Sequence, residues 1–285
     1  AGRFAPANPG RFALVASVIS LLVMAVLLAS PTLLELFIPV PYPATTELIG
    51  ALQEHTIALE TVQAGNGFED LQPLKPLLEG KRIVALGEAT HGTREFFQMK
   101  HRMLEFLVQE MGYQHFGMET SPQVAQVLND YIAGGRANPR SVLYWPWATE
   151  EVMDMLNWMR AYNADPHNVS KITFHGFDPI YGDRDPVMAA DVASILEQAG
   201  PQSKIVLWAH NAHISNAEGW MRHSLKQQFG DQAYLLGFEF DHGAFTSRMA
   251  VIHTYRVGPA SPAYYAYALR LTGKPLQFLD FHSLS

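Results

Sequence analysis

Four short apolar runs constrain this chain most, because each is closed by a loop carrying ionisable side chains and then by a helical pattern. The runs are Arg82 to Leu86 (RIVAL), Gln114 to Met118, Lys171 to Phe174 and Lys204 to Trp208. Runs of this length, bounded by glycine or polar residues, suit strands buried on both faces. Between them lie helical stripes. From Thr93 to Met111, Phe96, Phe97, Lys100, Met103, Leu104, Leu107 and Val108 recur at i, i+3 and i+4, and Gly112 stops the pattern. Pro122 to Ile132, Thr149 to Asn163, Pro186 to Ala199 and Met221 to Phe229 read as further helices, Glu47 to Ala64 as an earlier one, and Ala233 to Phe240 as a fifth strand. Strand, loop and helix in repetition predict an α/β fold, a largely parallel sheet flanked by helices.

The N-terminus follows another rule. Residues 12–29 (FALVASVISLLVMAVLLA) carry no charge, and a run of this length is close to what a bilayer span requires. Arg3 and Arg11 precede it and Glu35 follows, which predicts a cytoplasmic N-terminus and an extracytoplasmic body. A cleaved signal peptide is the rival, with a shorter apolar region and a better cleavage site than LLASPTLLE. The expectation is therefore an N-terminal transmembrane helix and a Pro-rich linker over 1–44, with a single-pass, membrane-anchored hydrolase domain over 45–285. The final segment, Tyr264 to Ser285, shows no capping element and reads as a C-terminal truncation.

In an open α/β sheet, ligands bind beyond the carboxyl ends of the strands. After the four runs come Gly87-Glu88-Ala89-Thr90-His91-Gly92, Glu119-Thr120-Ser121, His175-Gly176-Phe177-Asp178 and Ala209-His210-Asn211-Ala212-His213. Each residue has a structural reading: Glu88 and Glu119 as helix N-terminal charges, His91 as a loop residue, Asp178 as a turn residue before Pro179, His175 as a packed strand residue. The convergence of two glutamates, an aspartate and four histidines on one rim is what needs a function.

Histidine serves as a general base near neutral pH, and a carboxylate beside it orients the ring and stabilises imidazolium. Such a pair can activate water against an ester or lactone carbonyl. The same residue types could instead hold a metal ion. No G-x-S-x-G elbow supports a serine nucleophile. The absence of cysteine excludes a thiolate site, and a net charge of −7 gives no sign of a nucleic-acid partner.

The blocks GEATHGTREFFQMKHRMLEFL, GMETS, WPWATEEVMDMLNWMRAYN, HGFDPIYGDRDPVMAADV, IVLWAHNAHIS and LLGFEFDHGAF resemble, in order, the erythromycin esterase family, which includes proteins labelled succinoglycan-biosynthesis-like. The resemblance runs from about residue 80 to 282. It implies an α/β sheet with an active-site cleft and metal-free hydrolysis of a small-molecule ester or lactone, with no cofactor. It also implies His91 as the base, Glu88 and Glu119 as essential carboxylates, and His210 and His213 as the downstream pair. A family arginine falls at Lys100, which keeps the charge but not the bidentate fork. Lys100, Asp178 and Trp145 are the expected substrate contacts; the segment Tyr144-Trp145-Pro146-Trp147 reads equally as cleft lining or as core. A metal-dependent hydrolase and a non-enzymatic envelope or exopolysaccharide accessory protein are the alternatives.

Overall fold

Val84, Leu86, Phe116, Met118, Val206 and Trp208 face one side of a sheet and Ile83, Ala85, Ile205 and Leu207 the other, and all ten are buried. The computed structural model describes residues 44–179, 184–215, 218–248 and 251–284. In chain order its regular elements begin with α1 (Thr46–His55), β1 (Thr56–Ala58), α2 (Lys75–Leu78), β2 (Ile83–Leu86), α3 (Arg94–Met111), β3 (His115–Met118), α4 (Pro122–Ile132) and α5 (Glu150–Ala164). There follow β4 (Thr173–Gly176), α6 (Arg184–Ala199), β5 (Ile205–Trp208), α7 (Met221–Phe229), β6 (Ala233–Leu236), β7 (Gly243–Arg248), β8 (Ile252–Val257), α8 (Tyr265–Arg270) and β9 (Gln277–Leu279).

Five strands form one parallel sheet in the order β4-β3-β5-β2-β6. Side chains alternate across a strand, so each strand feeds two cores. One core packs the sheet against α3, α4 and α5; the other packs it against α6 and α7. Two small antiparallel pairs, β1 with β9 and β7 with β8, lie outside this sheet.

Helix α3 departs from a simple amphipathic helix. Its polar residues Lys100, His101, Arg102 and Glu105 are buried with its apolar ones. The segment before α2 covers Arg102 and Glu105: Arg102 donates to the Thr61 carbonyl (2.8 Å), the Gly67 carbonyl (2.8 Å) and the Asp70 carboxylate (2.5 Å), and Glu105 accepts the Gly65 amide (2.8 Å). Gly112, left-handed at φ 72°, ends the helix where a side chain would be strained. Helices α4 and α5 start at hydroxyl caps, Ser121 to the Val124 amide and Thr149 to the Val152 amide.

The expected first helix stops at His55, where β-branched Thr56 and Ile57 turn into β1. The third predicted strand is displaced to Thr173–Gly176, because Asn163 takes the Ile172 amide before pairing begins (2.7 Å). The fifth ends at Leu236, because Asn211 holds both the amide and the carbonyl of Phe238.

The expected transmembrane helix and membrane-anchored localisation are corrected. Among the described residues no helix is long and apolar enough to cross a membrane. Residues 12–29 and most of the Pro-rich linker lie outside the described residues. The fold of the described residues is a mixed α/β body around a parallel sheet flanked by helices.

Candidate functional site

Backbone pairing runs on past the ends of the central strands and fixes the loops that follow. The Gly87 amide bonds the Leu236 carbonyl (2.7 Å), Ala209 bonds Leu86 (3.1 Å), Asn211 bonds Glu88 (2.8 Å) and Glu119 bonds Trp208 (3.0 Å). Glu88, Glu119 and His210 therefore stand side by side at the carboxyl edge of β2, β3 and β5, as expected.

The two oxygens of Glu88, a fully buried carboxylate, have different partners. His91 Nδ1 donates to Oε1 at 2.6 Å, while Lys100 Nζ (2.7 Å) and Trp208 Nε1 (3.1 Å) donate to Oε2. A carboxylate oxygen accepts, so the hydrogen of this pair is on His91 Nδ1, and Nε2 is the ring nitrogen that Glu88 does not engage. The His91 side chain is 34% exposed, the one opening in this set. Trp147 meets its ring edge-on at 5.6 Å and His210 lies at 4.8 Å. Behind Trp147, Phe97 and Trp208 complete an aromatic wall.

Lys100 is wholly buried, with its ammonium 4.5 Å from the Trp208 ring centre. Burial pulls it down to about 8, against the attraction of Glu88 and Glu119. It backs Glu88 rather than facing the opening.

Glu119 accepts three hydrogen bonds: the His210 amide on Oε2 (2.8 Å), and His213 Nε2 (3.1 Å) and Arg184 Nη2 (2.9 Å) on Oε1. Burial alone would raise its pKa. The bond and charge of His213, the charge of His91 and the His210 amide outweigh that and bring it to about 2. His213 lies between two carboxylates, with Nδ1 2.8 Å from Asp185 Oδ1. Both ring nitrogens therefore donate. Burial opposes the charge, yet Glu119 and Asp185 hold the pKa above its ordinary value.

His210 is committed differently. Its Nε2–H donates to the Ala89 carbonyl (3.2 Å) and its Nδ1 accepts the Ala212 amide (3.1 Å), which is the neutral ring. Burial, and then the charge of His91, lower its pKa. Asp178 is buried and paired through both oxygens with Arg184. His175 lies within β4 against His115 rather than on the rim, and burial holds it down to about 4.

Arg184 and Asp185 escaped the sequence reading, and Trp147 was singled out there only as part of the segment Tyr144-Trp145-Pro146-Trp147. The first two open α6 after a stretch of sequence without helical or strand period, and the signal that could have found them is the acid-base pair ahead of Pro186. Trp147 lies two residues beyond Trp145, which is half-buried, and pattern alone could not say which indole turns toward His91. Among the described residues no group of three or more His, Asp or Glu is arranged to hold a metal ion.

Fold and site together define an α/β protein with a histidine–carboxylate cluster at the carboxyl edge of a parallel sheet. The family model described as Erythromycin esterase matches residues 108–182 and 180–285, and the chain belongs to the erythromycin esterase family. It is 31% identical over 118 residues to erythromycin esterase type II of Escherichia coli, across 40% of this chain and 27% of that protein. It is 35% identical over 111 residues to YbfO of Bacillus subtilis (strain 168), across 38% of this chain and 24% of that one. The chain thus matches about a quarter of the length of these relatives. Its fold is similar to that of a Bacillus cereus protein (TM-score 0.71, 21% identity, 85% of this chain and 86% of that one). It is also similar to that of a succinoglycan biosynthesis protein (TM-score 0.68, 23% identity, 79% and 83%).

Proposed function

We propose that this chain is a hydrolase that cleaves a carboxylic ester or lactone of a small molecule with water activated by His91. Family membership supports hydrolysis. The observation that carries the mechanism is the orientation of His91: Glu88 holds Nδ1–H at 2.6 Å, in a side chain that is 34% exposed, and Nε2 is the nitrogen Glu88 does not engage.

Nε2 takes a proton from water, and the water oxygen bonds the carbonyl carbon. Glu88 stabilises the imidazolium formed. As the tetrahedral adduct collapses, the C–O bond breaks and His91 returns its proton to the leaving alkoxide, giving an acid and an alcohol. Glu119 is a poor base, since three donors occupy it; it fixes the His210 loop and adds negative charge near His91. His213 is the cation that holds Glu119. His210 spends both nitrogens on backbone and packs against His91. Lys100 and Asp178, buried as they are, act through Glu88 and Arg184, and Trp147 joins Trp145 as a candidate for the substrate wall.

The test is hydrolysis of a macrolide and a panel of simple esters, with and without a chelator, by the wild-type chain and by His91→Ala. Chelator-resistant cleavage lost in the variant is expected. Cleavage retained by a folded His91→Ala chain would sink the mechanism, and cleavage that tracks a bound ion would replace water activation by His91 with metal activation.

A further inference from the structure

Arg184 and Asp185 join three strand ends through one helix start. Arg184 Nε and Nη2 reach the Asp178 oxygens at 2.7 and 2.5 Å, and Nη2 also reaches Glu119 at 2.9 Å. Asp185 Oδ1 accepts from His213 Nδ1 and from the Met221 amide, both at 2.8 Å. Asp178 follows β4, Glu119 follows β3, His213 follows β5, and Met221 opens α7. Adjacent residues of opposite charge thus take the two sides of the Glu119–His213 pair.

We propose that Arg184 and Asp185 are positioning residues that hold Glu119 as carboxylate and His213 as imidazolium. Three carboxylates (Glu119, Asp178, Asp185) against two cations (Arg184, His213) leave one net negative charge. Glu119 accepts from the amide of His210, whose ring lies 4.8 Å from that of His91, so this charge stands beside the imidazolium that the proposed mechanism forms. The functional part of the inference rests on the hydrolase reading; the protonation of His213 does not. Groups facing His213 are Glu119 from the end of β3, Asp185 from α6, the Trp220 ring at 5.8 Å, and Arg222 of α7, whose amide bonds the His213 carbonyl (3.0 Å). His210 shares its loop. Among these, Glu119 and Asp185 are the acceptors on the ring.

The test is nuclear magnetic resonance of the full chain with isotope-labelled histidine, His213 being assigned by loss of its signal in His213→Asn. Both ring nitrogens of wild-type His213 should stay protonated above the ordinary histidine midpoint, because Glu119 and Asp185 each accept from one of them. Asp185→Asn should lower the His213 midpoint by more than about one pH unit. A neutral ring in the wild type, or an unmoved midpoint in folded Asp185→Asn, would overturn the proposal, whether or not any ester is cleaved. The wild-type measurement decides the matter even where the variant does not fold. On an ester that the chain cleaves, Arg184→Met should lower kcat at least about tenfold with KM little changed, and Arg184→Lys should restore part of it. Equal losses in both variants would assign Arg184 a role in packing alone.

Discussion

Lys100 Nζ stands 2.7 Å from Glu88 Oε2, and neither side chain reaches solvent. The ammonium is the buried counter-charge of the carboxylate that orients His91. Removing one partner of such a pair strands the other in a low-dielectric setting. Lys100→Met should destabilise the chain by about 3–5 kcal/mol, read from urea unfolding midpoints at unchanged slope. A loss within about 0.5 kcal/mol would mean that Glu88 takes up a proton in the variant and tolerates the change.

Glu88→Gln keeps the shape of the carboxylate and removes the charge opposite the imidazolium. On the proposed mechanism kcat falls about 100- to 10,000-fold, with KM changing far less, because the interaction strengthens as His91 gains its proton. Steady-state kinetics on a cleaved ester measure the split. A rise confined to KM would assign Glu88 to substrate binding.

Acid should unfold this chain partly through Glu119. Its folded pKa, about 2, lies below the ordinary 4.5, so its contribution to stability is complete above about pH 4.5 and disappears as pH falls toward 2. His213 acts in the opposite sense. Its folded pKa is raised, so its contribution is complete below the ordinary histidine value and fades as pH rises through the folded one. Melting temperature against pH should fall on both sides, and Glu119→Gln should flatten both limbs. An unchanged acid limb in that variant would place the acid sensitivity elsewhere.

Gly92 follows His91 directly, and hairpin β7–β8 leans on it: the Thr246 amide donates to the Gly92 carbonyl at 3.0 Å. A methyl group at Gly92 would overlap the Thr246 carbonyl and hydroxyl oxygens. Gly92→Ala should displace the hairpin, which limited proteolysis detects as faster cleavage between 241 and 257. Wild-type resistance to protease in the variant would show that the loop, not the hairpin, gives way.

The parts of the fold written as strong local periodicity were legible in the chain. Helices α4 and α7 occur at the predicted residues, and α3 and α5 within one residue of their predicted ends, because each has a proline, a hydroxyl cap or a glycine stop in addition to an apolar stripe. The hairpin was not legible: Gly243–Arg248 and Ile252–Val257 are mostly polar or exposed on both faces, so no alternation marks them. Strand β1 was hidden because its pairing partner, β9, lies over two hundred residues away. In the site, position along the sheet edge was legible and partnership was not. Rim residues follow from where strands end. That His210 turns to backbone while His213 takes two carboxylates depends on Asp185, which enters from another helix.

Strand β5 lies between β2 and β3, pairing with both, although it is made about ninety residues after β3. A nascent chain that has emerged only as far as α6 already contains Glu88, His91, Lys100 and Glu119. It lacks the strand that holds β2 beside β3 and supplies the Trp208 donor to Glu88. The cluster therefore cannot be complete until β5 stands between β2 and β3, so every residue of the site depends on a segment made long after Glu88 and His91.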